Sequence, residues 1–260
     1  SFRYFKTSPE IIQLAVMLYV RFPLSLRNVE DLLHERGVDV SYESVRYWWH
    51  RFGSQFARQI KKRSAGEMQS SNWKWHLDEV FVQINGERHY LWRAVDHEGE
   101  VLESYVTKKR DKKAALKFMK KAMRRYGSPN EIVTDKLRSY SAAAKELGCS
   151  EKQVTKRWAN NRAENSHLPF RRRERAMLRF RRLHSLQKFA SIHASFHNLF
   201  NSQRSLSTRG TFKLNRDAAL SEWRSLLISE KRIDTPILML GFVCLTAPLR
   251  SLTIRFSHVF

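Results

Sequence analysis

The strongest constraint on the fold is an apolar hairpin near the middle of the chain. Trp73–Ile84 is an extended run, Asn85-Gly86 follows it, and His89–Asp96 returns. An Asn-Gly pair between two such runs is a strong signal for a two-residue turn, because both turn positions need positive φ angles. After His97-Glu98-Gly99, Val101–Thr107 supplies another extended run. The pattern predicts an antiparallel meander of three strands.

The segments after the meander alternate between helix and strand. Lys112–Tyr126 has the spacing of an amphipathic helix, and Ile132–Thr134 is a short apolar strand. Further helices are predicted near Tyr140–Leu147 and from Asn161 onward. This order is typical of an α/β, ribonuclease H-like core with a mixed five-stranded sheet and helices. We expect that core to cover residues 73–229.

The N-terminal part has a helical pattern instead. Three short helices are predicted to begin at Ser8, Ser25 and Ser41, the first of them with a capping hydroxyl. Together they indicate a helix-turn-helix module over residues 1–53, with a plain three-helix subdomain as the alternative. Residues 54–72 have little periodicity and are predicted to be a linker. The outer face of the third helix carries the candidate DNA contacts: Arg46, Tyr47, His50 and Arg51.

The charge balance indicates a polyanionic partner. The chain has 48 Lys+Arg against 25 Asp+Glu, for a formal net charge of +23. Because the basic residues are spread over several elements and not beside one anchor, DNA is favoured over a membrane surface. Two dense basic stretches, residues 108–125 and 152–188, predict a channel that follows phosphates, although charge runs are more often solvated faces.

Cysteine and histidine usage narrows the remaining classes of site. Cys149 and Cys244 are the only cysteines, so the chain has no disulfide framework and no cysteine-based zinc site. His193 and His197 are four positions apart, but no third ligand follows, so we expect structural roles. The run Ile11–Val20 fits an amphipathic helix better than a signal peptide. These features favour a cytoplasmic protein.

Three acidic residues are candidates for metal ligands within this basic chain. Asp78 lies inside the first strand, Asp135 at a strand end, and Glu164 on a helix. A two-metal phosphoryl-transfer site needs carboxylates from different elements that converge on ions about 3.5–4 Å apart. Taken singly, each acid has an ordinary role. Asp78 would form a buried ion pair with His76 or a lysine, Asp135 would be a turn residue, and Glu164 a solvated acid.

The motifs around these acids are specific in combination. They are Trp-His-Leu-Asp-Glu at 75–79, Tyr-Leu-Trp-Arg-Ala-Val-Asp at 90–96, Thr-Asp-Lys at 134–136 and Asn-Asn-Arg-Ala-Glu-Asn at 160–165. Together they resemble the DDE transposases of the IS6 insertion-sequence family, over roughly residues 11–227. The members of that family carry a helix-turn-helix followed by a ribonuclease H-like core. Two rival acids also recur in the family pattern, but we expect Glu79 to face away from Asp78, and Asp96 to be a strand-end residue.

The resemblance implies a function. It assigns Asp78, Asp135 and Glu164 as the catalytic and metal-binding triad, two Mg²⁺ or Mn²⁺ ions as cofactor, and terminal inverted repeats and target DNA as substrates. Arg171 lies seven positions, or two helical turns, after Glu164, so it is expected with Arg172 to contact phosphates. Holding two DNA ends together requires a homodimer or a higher oligomer.

Two departures from the family leave alternatives open. Only 28 residues separate Asp135 from Glu164, which is short for the family, and residues 230–260 match no part of it. Those last residues would be a late core helix or a read-through extension. The alternative functions are therefore a non-catalytic DNA-binding regulator from a decayed transposase copy, and a nuclease that hydrolyses but never joins strands.

Overall fold

The computed structural model describes residues 2, 4–64, 74–156, 159–177, 180–201 and 207–231. Its sheet has five strands in the order β3-β2-β1-β4-β5. The first three strands are antiparallel neighbours, whereas β4 and β5 run parallel to β1. This confirms the predicted ribonuclease H-like sheet. The strands are β1 (Lys74–Ile84), β2 (Glu87–Val95), β3 (Val101–Thr107), β4 (Glu131–Val133) and β5 (Gln153–Val154).

Eight helices surround this sheet within the described part of the chain. The cap predicted at Ser8 is present, and Ser25 caps the second helix as well, since each hydroxyl accepts a hydrogen bond from a backbone N–H in its helix. The helices are α1 (Pro9–Arg21), α2 (Leu26–His34), α3 (Tyr42–Ser64), α4 (Lys112–Tyr126), α5 (Arg138–Glu146), α6 (Asn161–Ala176), α7 (Leu183–Leu199) and α8 (Arg209–Lys231).

The third helix is longer than the sequence pattern predicted. Residues 54–64, interpreted as the start of a linker, continue α3 without a break. Phe56, Ala57 and Ile60 are buried along this extension and follow Phe52 at helical spacing. The linker prediction is therefore wrong for residues 54–64, and its remainder lies outside the described residues.

The sheet separates two apolar clusters. Helices α4 and α5 cover one face, where Trp75, Leu77 and Trp92 pack against Phe118 and Tyr140. Helices α6 and α7 cover the other face, and α1 and α3 pack in turn on α7. One contiguous cluster joins these layers: Phe52, Phe56, Phe189, Phe196 and Trp223 are among its buried members. The N-terminal helices therefore share their core with the sheet.

The short fourth strand determines where the sheet opens. Strand β4 pairs only with residues 74–76 of β1, and its last pair joins His76 to Val133. Beyond His76, β1 keeps β2 as a neighbour on one side, while on the other side the described residues supply no strand, only an isolated bridge from Ile84 to Phe180. The open flank of β1 therefore begins next to Asp78.

The remaining chain bears on two further predictions. Among the described residues, no helix combines the length and apolarity that a membrane crossing would need. The C-terminal residues 232–260, for which a core helix or an extension was considered, lie outside the described part of the chain.

Candidate active site

Two of the three predicted acids meet at the open flank of β1. Asp78 lies on β1 two residues beyond the last β4 pair, and Asp135 lies two residues beyond the end of β4. Because β4 runs parallel to β1, both chains deliver their carboxylates to the same edge of the sheet. Oxygens of Asp78, Glu79 and Asp135 all lie within 4.8 Å of one another. We call these three side chains the carboxylate pocket.

Glu79 belongs to this pocket although it was expected to face away from Asp78 and its side chain does leave β1 on the opposite face. Its neighbours Arg110 and Tyr140 do lie on the sheet face opposite to the Asp78 contacts. However, within the described part of the chain β4 pairs with β1 only up to His76, and the carboxylates of Asp78 and Glu79 still come together with that of Asp135. The expectation used strand alternation alone and took no account of the missing neighbour strand.

The Glu79 carboxylate is buried and only partly paired. Its side chain is 4% exposed, and Oε1 lies 2.7 Å from the Arg110 Nε atom. Among the described residues its Oε2 atom has no hydrogen-bond partner, and the nearby Tyr140 hydroxyl is not in hydrogen-bonding geometry with it. Burial raises the pKa of Glu79 to about 7, and the charges of Asp135 and Asp78 act in the same direction.

Asp135 is held by the turn that follows β4. Its Oδ1 accepts a hydrogen bond of 3.0 Å from the backbone N–H of Leu137. Its Oδ2 lies 3.8 Å from Nη2 of Arg110, so this arginine faces two of the three carboxylates. Burial raises the pKa of Asp135, the Leu137 N–H opposes this shift, and Asp78 adds to it. Its expected role as a turn residue is thus compatible with a place in the pocket.

Asp78 contacts a histidine that the sequence did not single out as its partner. The Asp78 Oδ2 and His167 Nε2 atoms are 3.2 Å apart, although the ring is not turned for a linear hydrogen bond. His167 is buried, and burial lowers its pKa while Asp78 acts in the opposite direction. The sequence had suggested His76 or a lysine as the partner of Asp78. The contact is instead made by His167 on α6.

A buried arginine lies across the hairpin from Asp78. The β1–β2 register places Arg93 directly opposite Asp78, on the same sheet face. Arg93 is fully buried, and its Nη1 donates a hydrogen bond to the Ser166 carbonyl on α6. Burial lowers its pKa to about 10. Arg93 therefore ties α6 to the sheet and places a positive charge behind the pocket.

One stripe of α6 follows β1 past the pocket. The Asn160 side chain donates to the Leu77 carbonyl at 2.8 Å, and His167 contacts Asp78. Glu164 lies between these two residues at helical spacing i+4 from Asn160. Its side chain is exposed and is not among the carboxylates within 4.8 Å of one another. The structure thus places Glu164 on the stripe that borders the pocket but outside the cluster itself.

The two arginines predicted to contact phosphates differ in their surroundings. Nη1 of Arg171 lies 2.5 Å from Oε2 of Glu174, and its Nη2 donates to the Phe81 carbonyl. It lies on the same stripe as Glu164, four residues beyond His167. Arg172 is exposed. Arg171 is therefore engaged within the protein, and Arg172 faces solvent.

The other predicted contacts form an exposed basic and aromatic face on α3. Nη1 of Arg46 is 2.8 Å from Oε1 of Glu43, and Nη1 of Arg51 donates to the Tyr47 hydroxyl at 3.3 Å. His50 is exposed on the same side. We call Arg46, Tyr47, His50 and Arg51 the α3 face. It is separate from the carboxylate pocket.

The donor chemistry of the pocket suits a hard divalent cation. Carboxylate oxygens are the ligands that Mg²⁺ and Mn²⁺ prefer. Three come together here, and one buried oxygen of Glu79 has no partner. Such an atom is costly inside a protein unless something pairs with it. The residues present therefore fit a divalent metal ion.

Comparison with known proteins identifies the family. The family model for the IS240-type transposase DDE domain matches residues 72–203. The chain belongs to the IS6 family of DDE transposases. Transposases for the IS431mec element of Staphylococcus aureus are 31% identical over 171 residues, which covers 64% of this chain and 75% of theirs. The transposase for IS257 in transposon Tn4003, also from Staphylococcus aureus, is 30% identical over the same length.

More distant proteins are also similar. An uncharacterised Methanocaldococcus jannaschii protein is 27% identical over 206 residues, covering 78% of the transposase chain and 90% of its own. A chain in the simian T-cell lymphotropic virus intasome in complex with the PP2A regulatory subunit B56 gamma is 11% identical, with a TM-score of 0.38 over 91% of this chain and 78% of that one. The transposase is an enzyme of polynucleotidyl transfer, as the family match shows.

Sequence reasoning did not identify three residues of the site. These residues are Glu79, Arg110 and His167. The approach of Glu79 to Asp78 depends on the shortness of β4, and the short apolar run Ile132–Thr134 was the signal for it. The contacts of Arg110 with Glu79 and Asp135 depend on the path of the β3–α4 connection, which no local sequence pattern predicts. His167 did carry a signal, since it lies three residues after Glu164 on the same helix.

Proposed function

We propose that the transposase binds the terminal inverted repeats of its insertion sequence and catalyses metal-dependent 3′-end cleavage and strand transfer into target DNA. Water attacks the phosphodiester at each end, which breaks the bond to the 3′ oxygen and frees a 3′-hydroxyl. That hydroxyl then attacks a target phosphodiester, forming a new bond to phosphorus and releasing a target 3′ oxygen. The observation that carries this proposal is the convergence of carboxylates at the open flank of β1 in a DDE family member.

Asp78, Asp135 and Glu164 would hold two divalent ions, Mg²⁺ or Mn²⁺. When bound, these ions supply positive charge that activates the attacking oxygen and stabilises the leaving oxygen. Glu164 borders the pocket from the first turn of α6, and its exposed side chain is free to turn toward Asp78. We propose that Glu164 completes the site once the metal and the DNA are present.

The surrounding residues would hold the pocket in position. His167 contacts Asp78 from α6, and Arg93 holds α6 to the sheet through Ser166. Positioning residues of this kind commonly set the orientation of metal ligands.

Two surfaces are proposed to contact DNA. The α3 face would read the terminal repeats in a groove, as recognition helices do, with Arg46, Tyr47, His50 and Arg51 as the contacts. Arg171 and Arg172 would contact phosphates near the pocket. On α4, basic residues at helical spacing form an exposed stripe that would follow the backbone: Lys113, Lys117, Lys120 and Arg124.

The assembly follows from the chemistry. Both ends of the element must be held together, so we propose a homodimer or higher oligomer on DNA. A bacterial cytoplasm, with the protein on the nucleoid, is the setting in which such a reaction would take place.

The test is a cleavage and joining assay. Labelled DNA carrying the terminal repeats would be incubated with a target plasmid, the full-length transposase and Mg²⁺ or Mn²⁺. The proposal predicts metal-dependent 3′-end cleavage and joined products, both lost in Asp78→Asn. Binding of the ends without either product would instead support the regulator, and cleavage without joining would support a nuclease.

A further inference from the structure

Arg110 pairs with two acids of the carboxylate pocket. Its Nε atom is 2.7 Å from Oε1 of Glu79, and its Nη2 atom is 3.8 Å from Oδ2 of Asp135. Among the described residues, the ion pairs formed by the pocket acids are these two and the His167–Asp78 contact. Arg110 thus faces two acids from one side, as a shared counter-ion does.

The segment that carries Arg110 is held at both ends. The Thr107 hydroxyl donates to the Lys109 carbonyl at 2.7 Å and accepts from the Trp92 indole at the same distance. On the other side, Asp111 caps α4 by accepting a hydrogen bond of 2.9 Å from the Ala114 N–H. The backbone beside Arg110 is therefore anchored, while its long side chain is 40% exposed. The guanidinium can leave the pocket without movement of the backbone.

Glu79 is buried, and its ion pair with Arg110 uses only one of its two carboxylate oxygens. Its side chain is 4% exposed, and Oε2 is buried without a partner next to Asp78 and Asp135. A buried carboxylate oxygen without a partner costs free energy unless a cation or a donor can reach it. An arginine that contacts Oε1 alone leaves this oxygen available.

We propose that Glu79 is an additional carboxylate ligand of the metal centre, and that Arg110 is a resting counter-ion which a divalent cation displaces from Glu79. This inference rests on the proposed function, because it takes the metal to bind among Asp78, Asp135 and Glu164. It adds an acid outside the predicted triad and a competitor for the same site. The carboxylates repel one another less when the Arg110 guanidinium lies beside them. Arg110 therefore stabilises the pocket as long as no metal ion is bound.

A second buried acid in the same sheet provides a matched control. Glu103 on β3 is also 4% exposed and pairs with the 47% exposed Lys121 at 3.2 Å. It too has one buried oxygen without a partner. Yet Glu103 belongs to no group of acids within ligand distance in the described part of the chain. A change at Glu103 tests the loss of a buried ion pair without a change to the pocket.

The experiment is a Mn²⁺ titration of the full-length transposase without DNA, followed by the electron paramagnetic resonance signal of free Mn²⁺. We expect Glu79→Gln to raise the Kd by roughly 10- to 100-fold, the range that loss of a supporting metal-site residue produces. Arg110→Gln should lower the Kd several-fold, because the competing cation is gone. Glu103→Gln and Lys121→Gln should leave the Kd unchanged.

Each contrary outcome has its own meaning. An unchanged or lower Kd in Glu79→Gln would overturn the role of Glu79 as a ligand. An unchanged or higher Kd in Arg110→Gln would overturn the displacement. If Asp78→Asn also bound Mn²⁺ normally, the metal site of the proposed function would itself be wrong. Circular dichroism would check folding, and if Glu79→Gln did not fold, a normal Kd in Glu79→Asp would count against the ligand.

Discussion

The carboxylate pocket and the α3 face differ in how the protein supports them. The pocket places Asp78, Glu79 and Asp135 within 4.8 Å of one another, with Arg93 buried behind them. The α3 face exposes its basic side chains, and the contacts of Arg46 are a surface ion pair with Glu43 and the face of the Tyr42 ring. Like charges brought together in a half-buried site repel, whereas exposed charges are screened by water.

The difference shows where folding energy is used for function. The pocket needs the hairpin, the short β4 and α6 in one arrangement, so its residues act as a unit. The α3 face needs only a helix whose inner side, with Val45, Trp48 and Trp49, is buried. We therefore expect single changes in the pocket to have large effects, and changes on the α3 face to have small and additive ones.

The largest effect should come from an exposed residue, which would break the simple link between burial and importance. Glu164→Gln should reduce end cleavage by at least about 10²- to 10³-fold, comparable to the loss of one preorganised electrostatic contact in an active site. Because Glu164 is exposed, the free energy of unfolding should change by no more than about 0.5 kcal/mol. Single-turnover cleavage and thermal unfolding check both, with the exposed acid Glu151→Gln as the control.

The second effect tests the core that joins the two regions. Burial lowers the pKa of His197 to about 4 and that of His193 in the same direction. Above pH 6.5 both residues are neutral whether the chain is folded or unfolded. As the pH falls from 6.5 toward 4, these two histidines take up protons in the unfolded chain but not in the folded one, so they lower the stability over this window. His197 alone contributes a loss of about 3 kcal/mol.

Denaturant unfolding between pH 7 and pH 4 measures this loss. His197→Gln should flatten the pH dependence, because the residue can no longer titrate. The exposed His184→Gln should leave it as in the wild type. An equally steep loss of stability in His197→Gln would show that the acid sensitivity comes from another group.

The third effect tests whether the residues around the pocket act together in binding the metal. His167→Gln removes the ring that contacts Asp78 and should weaken Mn²⁺ binding by about 10- to 100-fold, as expected for a residue that orients a ligand. The Mn²⁺ titration separates this role from a structural one, because a residue that only packs would lower the melting temperature without changing the Kd. Normal Mn²⁺ affinity in a folded His167→Gln protein would count against the positioning role.

The smallest effects should come from the α3 face. His50→Ala and Arg51→Ala should each weaken binding to terminal-repeat DNA by about 1 kcal/mol, and the Arg51 change should reduce the salt slope by about one if it contacts a phosphate. Fluorescence anisotropy over a salt series measures both. Arg58→Ala lies on the exposed side of the same helix, farther along, and should bind normally. An equal loss in Arg58→Ala would mean that the whole helix acts only through its charge.

Much of the sheet could be predicted from local sequence patterns. Asn85-Gly86 predicted the hairpin, and a two-residue turn pairs Ile84 with Glu87. Counting back along both strands then places Asp78 opposite Arg93, as observed. The boundaries of β3 and α4 also match the predicted ones. These features depend on turns, caps and periodicity, which act over short distances along the chain.

The remaining features depend on contacts between distant segments. The basic run Lys61-Lys62-Arg63 resembles a linker, yet it forms the last turn of α3, where cations are favourable near the helix C-terminus. His76 and His167 were both available to Asp78, and only the path of α6 selects His167. For Glu79, strand alternation gave the correct face but could not show that the flank beside it is open.

The central claim is that a divalent metal binds at the open flank of β1, and iron-mediated cleavage tests it most directly. Fe²⁺ would replace Mg²⁺ in the full-length transposase, and ascorbate with hydrogen peroxide would cut the backbone near the bound ion. The account predicts cuts near Asp78, near Asp135 and in the first turn of α6, suppressed by excess Mg²⁺ and absent in Asp78→Asn. Cuts that cluster around His193 and His197 instead, or that excess Mg²⁺ does not suppress, would contradict it.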